Sequence, residues 1–142
     1  MIYYFAYGSN MSTIRISSRI PIVKSVGTGK LIDYKLLCNK KSFDGTGKAN
    51  IIHNPGYEVW GVIYRLDVDS IHELDRIEDG YERKTFKIIT ENEVNVKAEA
   101  YISNKLTTAL PEQSYKNYIM NGAIEHKLPK YYIDHLTNIL IK

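Results

Sequence analysis

One carboxylate among the sixteen acidic residues of this 142-residue chain is set apart by its spacing. A helix over Asp69–Asp79 places Ile71, Leu74 and Ile77 on one face. Glu78 then projects within about 40° of the centre of that face, while Glu73 and Asp75 fall about 100° away and Asp79 further still. A carboxylate turned toward the core near the C-terminal end of a helix is disfavoured as an anion twice, by burial and by the negative end of the macrodipole. Both effects raise its pKa toward the range useful for moving protons at neutral pH. The plainer alternative is an ion pair with an arginine such as Arg83, or a place at a frayed helix end.

Tyr7-Gly8-Ser9-Asn10 is the second chemical candidate. A strand that stops in Gly-Ser-Asn presents backbone N–H groups able to hold a carboxylate or a developing oxyanion, and Gly8 permits close approach. The same trio also makes an ordinary turn. Other constellations fail. Gly45-Thr46-Gly47-Lys48 lacks the spacing of a phosphate loop, and no Ser or Thr follows Lys48. His53, His72, His126 and His135 show no metal-ligand spacing, so no metal is expected. Ser9 has no G-x-S-x-G elbow around it. Cys38 lies in the apolar Leu36-Leu37-Cys38 run and reads as core. Lys40, Lys41 and Lys48 read as a solvated loop rather than a phosphate clamp.

The elements that must position these groups follow from pattern. Ile2–Tyr7 reads as a first strand and Ser12–Arg19 as a short helix ended by Pro21. Val23–Asn39 reads as two extended pieces around Gly27-Thr28-Gly29 and Asp33, with Lys40–Lys48 as a loop. Ala49–His53 and Tyr57–Leu66 read as strands separated by an Asn54-Pro55-Gly56 turn. Ser70-Ile71-His72-Glu73 matches a capping box for the helix that carries Glu78. Glu82–Thr90 and Glu93–Ile102 read as a hairpin. Glu112–His126 is expected to be a helix with Tyr115, Tyr118, Ile119 and Gly122 on one face. Pro129 opens a last helix with a buried stripe of Tyr132, Leu136, Ile139 and Leu140. Strands with one central helix and two terminal ones make an α+β fold, in which five or six antiparallel or mixed strands can close into a barrel.

Composition agrees with a single domain over 1–142: 44% of residues are hydrophobic and 25% charged. A net charge of +3 is too small to argue for nucleic acid, and no run reaches the roughly 18 apolar residues of a membrane span. The N-terminus shows no signal-peptide pattern, and one cysteine cannot form an internal disulfide; a reducing cytoplasmic setting is expected. Twelve tyrosines stand against three Phe and one Trp. Those near the C-terminus suit either core packing or a homodimer contact.

Taken together in order, the motifs resemble those of the γ-glutamylcyclotransferases. Tyr4-Phe5-Ala6-Tyr7-Gly8-Ser9-Asn10-Met11 is similar to the YGSN signature that opens that family, with Arg15, Arg19 and Pro21 following at similar spacings. Pro55-Gly56-Tyr57-Glu58-Val59-Trp60-Gly61-Val62 resembles its PGxxVWGV segment. Leu74-Asp75-Arg76-Ile77-Glu78 resembles the LDxxE run that ends in the catalytic glutamate. Tyr115, Gly122-Ala123, Glu125 and Leu128-Pro129 are similar to its closing pattern. The likeness covers residues 2–136 or so, in register. Two departures stand out: Asp79 separates Glu78 from Gly80, and Lys48 and Asn50 occupy positions where relatives often carry a small residue and Thr.

The resemblance implies a small closed or partly open mixed β-barrel of five to six strands with flanking helices. It implies cyclisation of a γ-glutamyl amide to 5-oxoproline, with no cofactor and a small γ-glutamyl compound as the only ligand, neither nucleic acid nor membrane. Glu78 would be the acid/base. Tyr4, Phe5, Ala6, Tyr7, Gly8 and Ser9 would form the pocket wall, with Gly8 and Ser9 as backbone anchors and Asn10 supporting the turn. Tyr115 would hydrogen-bond the substrate, and Tyr101, at a strand end, is a weaker pocket candidate. Similar folds also act on γ-glutamyl amines or biosynthetic intermediates. A non-catalytic relative that binds a small acid or a partner protein is the reading from a different class, and it has little use for a buried carboxylate at Glu78.

Overall fold

Alternating apolar residues build five strands that close on themselves, as seen in a computed structural model that describes residues 1–21 and 23–142. In chain order these are β1 (Ile2–Ala6), β2 (Lys24–Lys41), β3 (Gly47–Leu66), β4 (Glu82–Thr90) and β5 (Asn95–Ile102). The strands run β1-β3-β2-β4-β5 around the barrel. All pairs are antiparallel except the closing one, where β1 meets β5 in parallel at Tyr4 and Glu99. A closed barrel has no free edges, so each strand is paired on both sides. Four helices flank it: α1 (Thr13–Ser17), α2 (Val68–Ile77), α3 (Gln113–Glu125) and α4 (Lys130–Thr137).

Several sequence expectations shift. The two extended pieces in Val23–Asn39 are one continuous strand, β2, running on to Lys41. The Asn54-Pro55-Gly56 turn does not end a strand, because β3 continues through it. The register against β2 jumps there, from Ile32 opposite Glu58 to Tyr34 opposite His53, so the segment is a bulge. Gly56 at φ +92° and Asp33 at φ +66° supply the left-handed conformations, and Gly56 N–H donates to Asp33 Oδ1 at 3.2 Å. The expected capping box is displaced too. Asp67 is the N-cap of α2, accepting from Ser70 N–H at 2.7 Å, which leaves Ser70 inside the first turn. Leu140 lies beyond the end of α4 and is exposed, so it is not part of the buried stripe that Tyr132 and Leu136 form.

Three features of this frame aim at one end of the barrel. Ile71 and Leu74 of α2 are fully buried, each contributing about 2 kcal/mol to the docking of the helix. After β1 the chain makes a 3-10 turn over Ser9–Met11, which Tyr64 of β3 anchors by donating toward the carbonyls of Asn10 and Met11 at 2.9 and 3.1 Å. Gly122 of α3 packs against that turn so closely that a Cβ would lie 2.5 Å from Met11. This contact fixes α3, and Tyr115 with it, beside Gly8.

Candidate active site

Glu78 sits where α2 runs out. Its N–H still bonds to Leu74 at 2.8 Å, but its ψ of 58° leaves the helix, and Tyr81 N–H closes back on its carbonyl at 3.2 Å. The tight turn that stops the helix therefore delivers two side chains, Glu78 and Tyr81, into one small cavity. Tyr4, Tyr7 and Gly8-Ser9-Asn10 enter from β1 and the 3-10 turn, Ala49 from β3, Tyr101 from β5 and Tyr115 from α3.

The carboxylate is held from one side. Arg19 Nη1 donates to Glu78 Oε1 at 2.9 Å, and Asn10 Nδ2 donates to the same oxygen at 3.0 Å. Asn10 also donates to the Tyr4 hydroxyl at 3.0 Å and accepts from Arg19 at 3.3 Å. Burial nonetheless pushes the Glu78 pKa up, against the pull of Arg19, the Asn10 hydrogen bond, Arg15 and Lys40. Desolvation outweighs the cations, so the group is easier to protonate than an ordinary glutamate. Arg83, the pairing alternative raised by the sequence, is engaged elsewhere, with Asp75 at 3.0 Å and Glu99 at 3.2 Å.

The tyrosines ring the cavity with hydroxyls, some donating and some accepting. Tyr115 Oη accepts from Ala49 N–H at 2.9 Å, and Tyr81 donates to the Ala49 carbonyl at 2.6 Å, so both backbone polar groups of this β3 residue are held by tyrosines. Because Tyr115 is an acceptor there, its own proton remains available to the cavity. Tyr7 donates to the Tyr101 carbonyl at 2.5 Å, and Tyr101 donates to Asp75 at 2.7 Å. Burial raises the pKa of all five hydroxyls, so they remain protonated at neutral pH. Gly8 is required for space: a Cβ would meet that of Ala49 at 2.8 Å.

The residues singled out from sequence are thus brought together at Glu78, Tyr4, Tyr7, Gly8, Ser9, Asn10, Tyr101 and Tyr115. Phe5 and Ala6 are not among the lining residues. Both are buried in the core, where Gly61 packs against the Phe5 ring and the Ala6 carbonyl. Asn10 does more than support its turn, since it holds the carboxylate directly. Tyr101 contributes its ring and spends its hydroxyl on Asp75. Asp79 is exposed and faces a second, outer space of about 570 Å³ rather than the inner chamber. Sequence reasoning assigned no role to Tyr81, Ala49 or Arg19. The first follows Glu78 by three residues across Gly80 and was within reach of a turn argument. Arg19 and Ala49 come to the site only through barrel closure, which no local spacing announces. Burial pushes the Cys38 thiol up to about 11, as its core reading expects, and it lies outside the chamber.

Comparison with known proteins places this geometry. Residues 58–136 match the model of the AIG2-like family. The chain is 33% identical over 148 residues to a γ-glutamylcyclotransferase of Mus musculus, covering 96% of this chain and 77% of that protein. It is 31% identical over 147 residues to the γ-glutamylcyclotransferase of Homo sapiens, with the same coverage. A solved structure described as a γ-glutamyl cyclotransferase superposes with a TM-score of 0.93 at 31% identity, over 99% of this chain and 89% of that one. The chain belongs to the AIG2-like family, among the γ-glutamylcyclotransferases.

Proposed function

We propose that this protein is a cofactor-independent γ-glutamylcyclotransferase that converts the γ-glutamyl group of γ-glutamyl amino acids, or related γ-glutamyl amides, to 5-oxoproline. The observation that carries the reading is Glu78: a carboxylate with a raised pKa, steered by Arg19 and Asn10, in a small tyrosine-lined cavity. The reaction is an internal acyl transfer. The substrate's α-amine attacks its own γ-carbonyl, a C–N bond forms to close the ring, and the amide C–N bond breaks without consumption of water.

The protein must hold a folded substrate, take a proton from the α-ammonium and return one to the departing nitrogen. Glu78 accepts the first proton and donates the second, and its raised pKa suits both halves. Tyr115, with its proton free, hydrogen-bonds the γ-glutamyl group. The backbone at Gly8 and Ser9, where the 3-10 turn begins, offers N–H groups to the substrate carboxylate or to the oxyanion. Arg19 keeps enough of Glu78 ionised to start the cycle.

The test is 5-oxoproline release from a panel of γ-glutamyl dipeptides and γ-glutamyl amines by protein dialysed against a chelator, with nothing added back. Release from at least one member is expected. A protein inactive across the panel, yet binding the same compounds, would instead be a small-acid binder on the same fold.

A further inference from the structure

Outside the inner chamber lies the second space of about 570 Å³, which shares Glu78 with it and is lined by four cations, Arg15, Arg19, Lys40 and Lys48, against two anions, Glu78 and Asp79. Two of the cations are placed unusually. Lys40 of β2 and Lys48 of β3 stand directly opposite each other in the ladder, a like-charge pairing that costs stability. Each ammonium lies over a tyrosine of the chamber mouth: Lys40 4.7 Å from the centre of the Tyr81 ring, Lys48 4.6 Å from that of Tyr115. The two lysines therefore flank the opening through which a γ-glutamyl compound would project its amine side.

Lys40 is not neutralised as its burial demands, and Lys48 has only an exposed partner. Lys40 is only 7% exposed, and its ammonium bonds to the Asp79 carbonyl at 2.8 Å, with no carboxylate partner among the described residues. A lysine has three N–H donors, so two of them remain for a ligand. Lys48 reaches Asp44 at 3.3 Å and Thr46 at 3.2 Å, and the exposed Asp44 is a weak competitor for it. A buried ammonium without a counter-ion calls for one from the ligand.

We propose that Lys40 and Lys48 form a carboxylate clamp over the chamber mouth, selecting substrates whose departing amine is an acidic amino acid, a dicarboxylic one above all. The proposal rests on the cyclotransferase reading only in seating the γ-glutamyl group in the inner chamber. The carboxylates of the departing residue then lie between the two ammonium groups, which relieves the repulsion across the ladder.

The test compares γ-Glu-Glu with γ-Glu-Gln, which are close in shape and differ by one charge. For the unmodified protein kcat/KM should favour γ-Glu-Glu by about tenfold. Lys48→Met and Lys40→Met should each bring the ratio toward one, and Lys48→Arg should keep it; Lys48→Met at the rim serves if the buried Lys40→Met fails to fold. A ratio near one in the unmodified protein, or one that both Met variants leave intact, overturns the clamp. If neither peptide yields 5-oxoproline, binding of glutaryl-Glu and glutaryl-Gln, which lack the attacking amine, decides separately. Preference for glutaryl-Glu that Lys48→Met abolishes upholds the clamp and overturns the reaction. Equal binding, or none, overturns the clamp.

Discussion

The inner chamber and the outer vestibule share four residues, Ser9, Glu78, Tyr81 and Tyr115, but they are furnished in opposite ways. In the chamber most polar tips are satisfied by the protein, the Tyr115 proton being left over: Asn10 and Arg19 hold Glu78, and the backbone N–H and carbonyl of Ala49 are held by Tyr115 and Tyr81. Such a network fixes geometry before a ligand arrives. In the vestibule the charge is in excess, with Lys40 opposite Lys48 and no carboxylate on Lys40 among the described residues. The chamber is organised for a reaction, the vestibule for recognition, and Glu78 stands on the boundary, reachable by a proton from either part of the substrate.

Breaking the chamber should cost most. Glu78→Gln keeps the shape and removes the proton carrier, and a loss of about a thousandfold in 5-oxoproline release is expected with an unchanged circular dichroism spectrum. Gly8→Ala comes next. Its Cβ would sit 2.8 Å from that of Ala49, and displacement of the chamber wall should lower kcat/KM by about a hundredfold.

Arg19→Met tests the boundary through pH rather than rate. Arg19 lowers the Glu78 pKa while burial raises it. Without the guanidinium the pKa rises further, the base form is lost sooner on acidification, and the acid limb of kcat/KM moves to higher pH. A limb that stays in place, or moves down, would remove Glu78 from the role of base. The smallest effect is expected in the vestibule at Asp79→Asn. Asp79 is exposed and does not line the chamber, so kcat should change by less than about fivefold. A loss matching that of Glu78→Gln would make Asp79 the working acid.

The same contrast explains what the sequence made legible. Glu78 was visible because a helix converts spacing into direction, and three apolar residues of α2 reported which way the core lay. Its position survives even though the helix stops two residues earlier than expected, at Ile77. Gly8-Ser9-Asn10 was visible because a strand ending in turn formers is a local event. The vestibule was not legible. Lys40, Lys41 and Lys48 looked like a solvated loop, since only the pairing of β2 with β3 brings Lys40 opposite Lys48 and buries it. Arg19 escaped for the same reason, its partner lying 59 residues away in the chain. At Asn54-Pro55-Gly56 the turn chemistry was recognised but its scale was not, because a bulge and a turn use the same residues.

The most direct test of the central claim is to titrate Glu78 itself, by the infrared carboxyl stretch that disappears in Glu78→Gln, and to compare it with the acid limb of kcat/KM for the unmodified protein. A carboxyl that titrates above the ordinary glutamate range of about 4.3, at the same pH as the acid limb, is the predicted result. A Glu78 that titrates at or below that range, or an acid limb that does not follow it, would contradict the account.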